Sequence, residues 1–195
     1  MNGQTREIWL VRHGETEWSR SGAHTGRTDL PLTPAGRENA KALGGLLRGR
    51  EFSLVLCSPM QRARDTCQLA GLGDRAGIEP NLREWDYGDF EGRTTAAIRE
   101  EIPGWSLWAS GVRNGETVDQ VAARADSVIA RALAAAGNVA LFAHGHILRI
   151  LTARWLGLPG DAGRLFAFGT ASIGVLGYER ETRVLTRWNL SVSAR

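Results

Sequence analysis

The chain has four histidines, His13, His24, His144 and His146, and they fall in only two places. "IWLVRHGETEW" brings Arg12 and His13 to the end of an apolar run, and "NVALFAHGH" does the same with His144. Each of these two strand-end histidines precedes a glycine, Gly14 or Gly145, which lets the backbone come close to a ligand. Arg62 lies four residues after Ser58 in "SPMQRARDT" and can point to the same edge as Arg12. Paired guanidiniums near helix N-termini suit a phosphate dianion, because they supply bidentate donors and positive potential. The two cations would also lower the pKa of His13 from its ordinary value of about 6.5. That keeps a lone pair available for attack on phosphorus. The leaving alkoxide then needs a proton. "LREWDYGDFEG" offers Glu84, Asp86, Asp89 and Glu91 in a stretch rich in aromatics that could exclude water. Glu84 is the best candidate for the acid, although spacing alone does not separate it from the other three.

Other chemistries fit less well. "HGH" places His144 and His146 two apart, but the nearby chain offers no third ligand at a familiar zinc spacing, so no metal is expected. A cysteine phosphatase loop needs arginine after five intervening residues from its cysteine. Counted from Cys57 that position is Ala63, with Arg62 one short, so Cys57 reads as a small buried hydrophobe. No G-x-x-x-x-G-K-[ST] loop is present. The net charge is only +3, with arginines scattered among acids, which gives no support for a nucleic-acid partner. "MNGQTRE" has no apolar leader core, and no apolar run approaches the length of a membrane span. Two cysteines are too few for a secreted disulfide framework. The expectation is a cytoplasmic protein acting on a small phosphorylated substrate, with no membrane partner.

The elements that position these residues alternate. Apolar strands are expected at 7–11, 52–58 and 138–145, with a short one near 77–80. Thr33 and Pro34 open a helix, and Ser58 with Pro59 is expected to open the next. Thr117 and Gln120 form a capping box for a long helix over 117–137, closed by Gly137. A helix follows His146, and 171–190 reads as a C-terminal hairpin. All-apolar strands alternating with helices imply a three-layer α/β/α sandwich with a mainly parallel central sheet. Ligands bind such sheets at the carboxyl ends of the strands, where Arg12, His13, Ser58 and His144 fall. At 195 residues the expectation is one domain, 1–195, with a loop-rich, lid-like segment at about 81–115.

"LVRHGETEW", "SPMQRARDT", "REWDYGDFEG" and "FAHGH" together resemble the histidine phosphatase superfamily, the phosphoglycerate-mutase-like proteins. The resemblance covers nearly the whole chain. It implies that His13 becomes phosphorylated, that Arg12, Arg62 and His144 form the phosphate pocket, and that Glu84 donates the proton. Thr25 and Gly26 match a loop that contacts substrate, and Ser19, Tyr87 and Gly145 are further substrate-binding candidates. Ser19 is a departure, since the family often has Asn there. No cofactor is implied. Longer similarity, including "RHGETEWSRSGAHTGRTDLPLTPAG" and "NGET", points to the sedoheptulose-bisphosphatase branch and its acid-phosphatase relatives. The expected activity is metal-independent hydrolysis of a sugar phosphate or bisphosphate through a phosphohistidine. A phosphoglycerate mutase and a catalytically silent phosphate-binding protein are the alternatives. Trp18, Trp85, Trp105 and Trp108 flank the proposed loops and either wall the site or pack a core edge, while His24 and His146 lie at its rim.

Overall fold

The computed structural model describes residues 6–191, so most of the stretch read for a leader lies outside the described residues. In chain order the elements are β1 (Ile8–Arg12), α1 (Glu17–Ser21), α2 (Pro34–Leu47), β2 (Leu54–Cys57), α3 (Gln61–Leu69) and β3 (Ala76–Ile78). They continue with α4 (Thr95–Glu101), α5 (Leu107–Ser110), α6 (Val118–Ala134), β4 (Val139–Ala143), α7 (Gly145–Trp155), β5 (Ser172–Glu179) and β6 (Thr182–Ser191). The strands form one sheet in the order β3-β2-β4-β1-β5-β6. β3, β2, β4 and β1 run parallel, and the β5–β6 hairpin joins antiparallel along β1.

Strand alternation divides the core. Ile8 and Leu10 of β1 and Leu141 and Ala143 of β4 face α6 and α7, together with Trp85, Phe90 and Trp105. Trp9, Val11, Ala140 and Phe142 face the opposite way, against Leu43 and Leu47 of α2 and Ala63 and Cys67 of α3. The result is the expected three-layer sandwich. β4 is buried at every position, which is why its sequence shows no polar alternation. In-register pairing of Arg12 with Ala143 brings the ends of β1 and β4 level, so His13 and His144 emerge side by side.

Local signals set most of the helix starts. Thr33 accepts from the Gly36 amide at 2.9 Å with Pro34 in the first turn, and Thr117 and Gln120 form the capping box of α6. Two expectations are corrected. α3 starts after Met60, not at Ser58, because the Ser58 hydroxyl is drawn into the buried cluster described below. α6 ends at Ala134, before Gly137, whose amide instead donates to Ser53 Oγ across the start of β2. The turn after β1 depends on a close approach of two glycines. A Cβ on Gly36 would run into the Glu15 carbonyl, and one on Gly14 into the Gly36 carbonyl. α2 therefore docks its first turn directly on the backbone beside His13. Among the described residues no helix is long and apolar enough to cross a membrane.

Candidate active site

His13 is buried at the carboxyl end of β1, and its amide donates to the Ala143 carbonyl. Its Nδ1 lies 2.7 Å from the Gly14 carbonyl oxygen. A carbonyl can only accept, so the ring proton sits on Nδ1 and Nε2 keeps its lone pair. Burial pushes the His13 pKa well below 6.5, and the Arg62 and Arg12 charges push it further in the same direction. The sequence pointed to the arginines, and burial is the larger cause. Arg12, beside it, donates one terminal nitrogen to the Phe168 carbonyl. Its Nε is buried without a partner, alone in this respect among the described residues. Gly145 makes room for this guanidinium: a Cβ there would lie 3.1 Å from Arg12 Cζ.

Arg62 is fully buried and is held almost entirely by backbone carbonyls. It donates to Thr28 O at 3.0 Å, to Thr25 O at 3.0 Å and to Gly26 O at 3.1 Å, while Asp29 stands off at 4.0 Å. Its Nε donates to His144 Nδ1 at 3.1 Å. His144 therefore carries its proton on Nε2, which lies 2.7 Å from Ser58 Oγ and donates to it. Both His144 nitrogens are engaged, so direct donation from this ring to an anion would require it to exchange a partner. Burial, then Arg62 and His13, push its pKa well below 6.5. The His13 and His144 rings lie 5.1 Å apart. Arg62 thus works as a fixed positive charge rather than an open fork.

The loop that holds Arg62 is itself held. Glu91 accepts from the Gly26 amide at 2.9 Å and the Thr28 amide at 3.0 Å. The amides of one short loop go to Glu91 and its carbonyls go to Arg62. Thr25 and Gly26 accordingly act here through their backbone, and the Thr25 hydroxyl turns back to the Ala23 carbonyl. The Ser19 hydroxyl is used within its own turn, accepting from the Thr16 amide and donating to the Thr16 carbonyl.

The four acidic candidates now separate. Glu84 is buried, and its carboxylate accepts from the amides of Trp85, His146 and Ile147 at 2.9, 3.0 and 2.9 Å. It closes the N-terminus of α7, one residue on from His144, and satisfies first-turn amides that have no partner within the helix. Asp86 pairs with Arg27, and Asp89 accepts from the Asn114 amide group. Arg124 fixes the segment that carries Glu84, donating to the carbonyls of Asn81 and Arg83 while gripping Glu116 through two bonds of 2.7 Å.

Beside Glu84 is an aromatic cluster. The Tyr87 hydroxyl lies 2.6 Å from His146 Nδ1, and the His24 ring lies 4.7 Å from Tyr87. Burial pushes the Tyr87 pKa well above 10 and the His146 pKa well below 6.5, so the phenol donates and the imidazole accepts. Trp85 and Trp105 are core residues, Trp108 packs edge-on to Trp85 with Arg149 over its other face, and Trp18 packs on Gly92.

Residues 8–191 match the model of the histidine phosphatase superfamily (branch 1). The chain belongs to that superfamily. With membership comes the enzyme class, a phosphatase of the histidine type. An acid phosphatase of Mycobacterium tuberculosis (strain ATCC 25618 / H37Rv) is 44% identical over 191 residues, covering 95% of this chain and 93% of that protein. A sedoheptulose 1,7-bisphosphatase of Saccharomyces cerevisiae is 39% identical over 191 residues, covering 81% of this chain and 70% of that protein. The solved structure of the Mycobacterium tuberculosis open reading frame Rv3214 superposes with a TM-score of 0.91 at 44% identity, covering 95% of this chain and 98% of that one.

In this histidine phosphatase the five residues expected to do chemistry come together at one sheet edge. Ser58 and Glu91 were not recognised for what they hold. Ser58 read as a helix cap, and Glu91 as one carboxylate among four. The available signal was their position, one at a strand end and the other closing an aromatic-rich motif.

Two outcomes follow. His13 and His144 are neutral when folded but titrate near 6.5 when unfolded, so below that pH the unfolded chain binds more protons. Stability from these two groups is complete above about pH 6.5 and falls as pH drops, with a slope of at most about 1.4 kcal/mol per pH unit for each. Denaturant unfolding followed from pH 7.5 to 5 should show this slope, and His144→Gln should reduce it by one group. Second, Glu91→Ala should release the loop and displace Arg62 while the fold persists. Steady-state kinetics should show kcat/KM down by as much as about 100-fold.

Proposed function

We propose that this histidine phosphatase hydrolyses phosphomonoesters of small sugars through a phosphohistidine on His13, without a metal. The observation that carries the proposal is a buried, neutral His13 with its lone pair on Nε2, between one guanidinium with an unpartnered Nε and another that is fixed in place. In the first step Nε2 bonds to phosphorus as the ester P–O bond breaks in line, and Glu84, which enters the step protonated on Oε2 where it accepts from a single amide, gives that proton to the departing oxygen. In the second, water attacks phosphorus, its proton passes to Glu84, and the P–N bond breaks to return free His13 and phosphate. Splitting the displacement in two is covalent catalysis. Arg12 supplies the open donor, and Arg62 supplies fixed charge for the equatorial oxygens.

A sugar leaving group is supported by the cleft beside Glu84. Its volume is about 190 Å³, and its lining mixes donors and acceptors, with Arg27, Asp86 and Glu116 alongside Glu84 and the Gly26 backbone. A polyol uses both kinds of partner, whereas an apolar alcohol would use neither. The sedoheptulose 1,7-bisphosphatase among the relatives points to the same substrate class.

The test is phosphate release in the presence of a chelator, comparing kcat/KM for sedoheptulose 1,7-bisphosphate and an aryl phosphate, with His13→Ala as the blank. The expected result is a preference for the sugar ester and loss of turnover in the blank. Glu84→Gln should slow the sugar ester by about 100-fold or more and the aryl ester far less, since a phenolate needs less protonation to leave. Equal losses would move the acid role elsewhere, and an active His13→Ala would overturn the mechanism.

A further inference from the structure

A cleft larger than the one beside Glu84 lies away from the catalytic edge. It opens at the other end of the sheet, where residues 6, 50–53, 75 and 136–138 lead into β1, β2, β3 and β4, and its volume is about 830 Å³. A five-residue strand separates the two edges by roughly 15 Å. Three arginines line this cleft, Arg6, Arg50 and Arg75, against a single carboxylate, Glu51.

Each arginine is held in place by something other than an acid. Arg75 donates to the Phe52 carbonyl at 2.7 Å, Arg6 donates to the Leu133 carbonyl, and the Arg50 guanidinium lies 5.2 Å from the centre of the Trp9 ring. None of the three takes part in an ion pair within 4.0 Å among the described residues. The floor between them is tied across the strands. Ser53 accepts from the Gly137 amide at 3.0 Å and donates to the Asn138 carbonyl, and the Asn138 side chain accepts from the Glu7 amide at 3.0 Å. The cations thus share one concave surface, and their like charges repel with only the Glu51 carboxylate lining the cleft to offset them.

We infer that this cleft is a second anion site, which takes a small molecule carrying at least two linked phosphoryl groups. Three guanidinium forks need more acceptor oxygens than the three terminal oxygens of a monoester, and about the six of a pyrophosphate. The site holds its ligand without reacting with it, since no histidine like His13 lines it. It is independent of the substrate assigned to the catalytic edge.

Inorganic pyrophosphate titrated calorimetrically into the full chain tests this. The wild type should show two binding events. Arg50→Ala/Arg75→Ala should weaken one by about tenfold or more, leaving aryl phosphate hydrolysis within about twofold of wild type. Arg12→Ala should weaken only the other. Should the double variant not fold, the exposed single substitutions Arg50→Gln and Arg75→Gln should each weaken the same event severalfold. The proposal is overturned if pyrophosphate does not bind, or binds only in an event that Arg12→Ala removes and the distal substitutions leave unchanged.

Discussion

Everything at the catalytic edge depends on burying the Arg62 guanidinium without a close carboxylate. A cation taken out of water is costly unless its donors are satisfied. Here they are satisfied by the carbonyls of Thr25, Gly26 and Thr28 and by His144 Nδ1. Carbonyl dipoles solvate the charge but do not cancel it. A carboxylate in their place would neutralise the field that an incoming phosphoryl group must feel. Glu91 is therefore set one step back, on the amides of the same loop, where it fixes the carbonyls without touching the guanidinium. The uncancelled charge then acts on its neighbours. It adds to burial in keeping His13 and His144 neutral, and it determines which His144 nitrogen carries the proton.

That arrangement also separates the two arginines by role. Arg62 has given four of its five N–H donors to the protein and contributes charge. Arg12, two strands away in sheet order, has one nitrogen on the Phe168 carbonyl and an Nε with no partner. An unsatisfied buried donor costs about 1–3 kcal/mol. Under the proposed function a phosphoryl oxygen would satisfy it, and a cost in the free protein would become selectivity for a bound anion. The space for it comes from Gly145, whose missing Cβ leaves the guanidinium its place.

The strands and the helix caps at Thr33 and Thr117 were legible in the sequence because their causes are local. An apolar run, a proline in a first turn and a capping box each lie within a few residues. That Arg12, His13, Arg62, Glu84 and His144 meet at one sheet edge was legible as well, because apolar strands ending on polar residues lead there and the family motifs contain them. What could not be read is what those residues rest on. Ser58 meets His144 across 86 positions, and Glu91 meets Gly26 across 65. Neither contact leaves a periodicity or a spacing. Ser58 even carries a misleading local signal, since a serine before proline looks like a helix cap until the fold brings an imidazole to it.

Glu84 shows why the proposed acid and the proposed phosphate pocket cannot vary independently. α7 begins at Gly145, directly after His144, and its free first-turn amides close on the Glu84 carboxylate. One strand-to-helix junction thus orients His144, leaves room for Arg12 and anchors Glu84. A shift of α7 along its axis would disturb all three together. The segment carrying Glu84 is pinned separately, by Arg124 and Glu116 on α6 and the turn before it. Precision in the site therefore comes from two attachments that must agree. α7 sets where the carboxylate ends, α6 sets where its backbone starts, and the Glu84 side chain connects the two. Asp86, two residues on and one methylene shorter, is instead paired with Arg27 on the cleft beside Glu84.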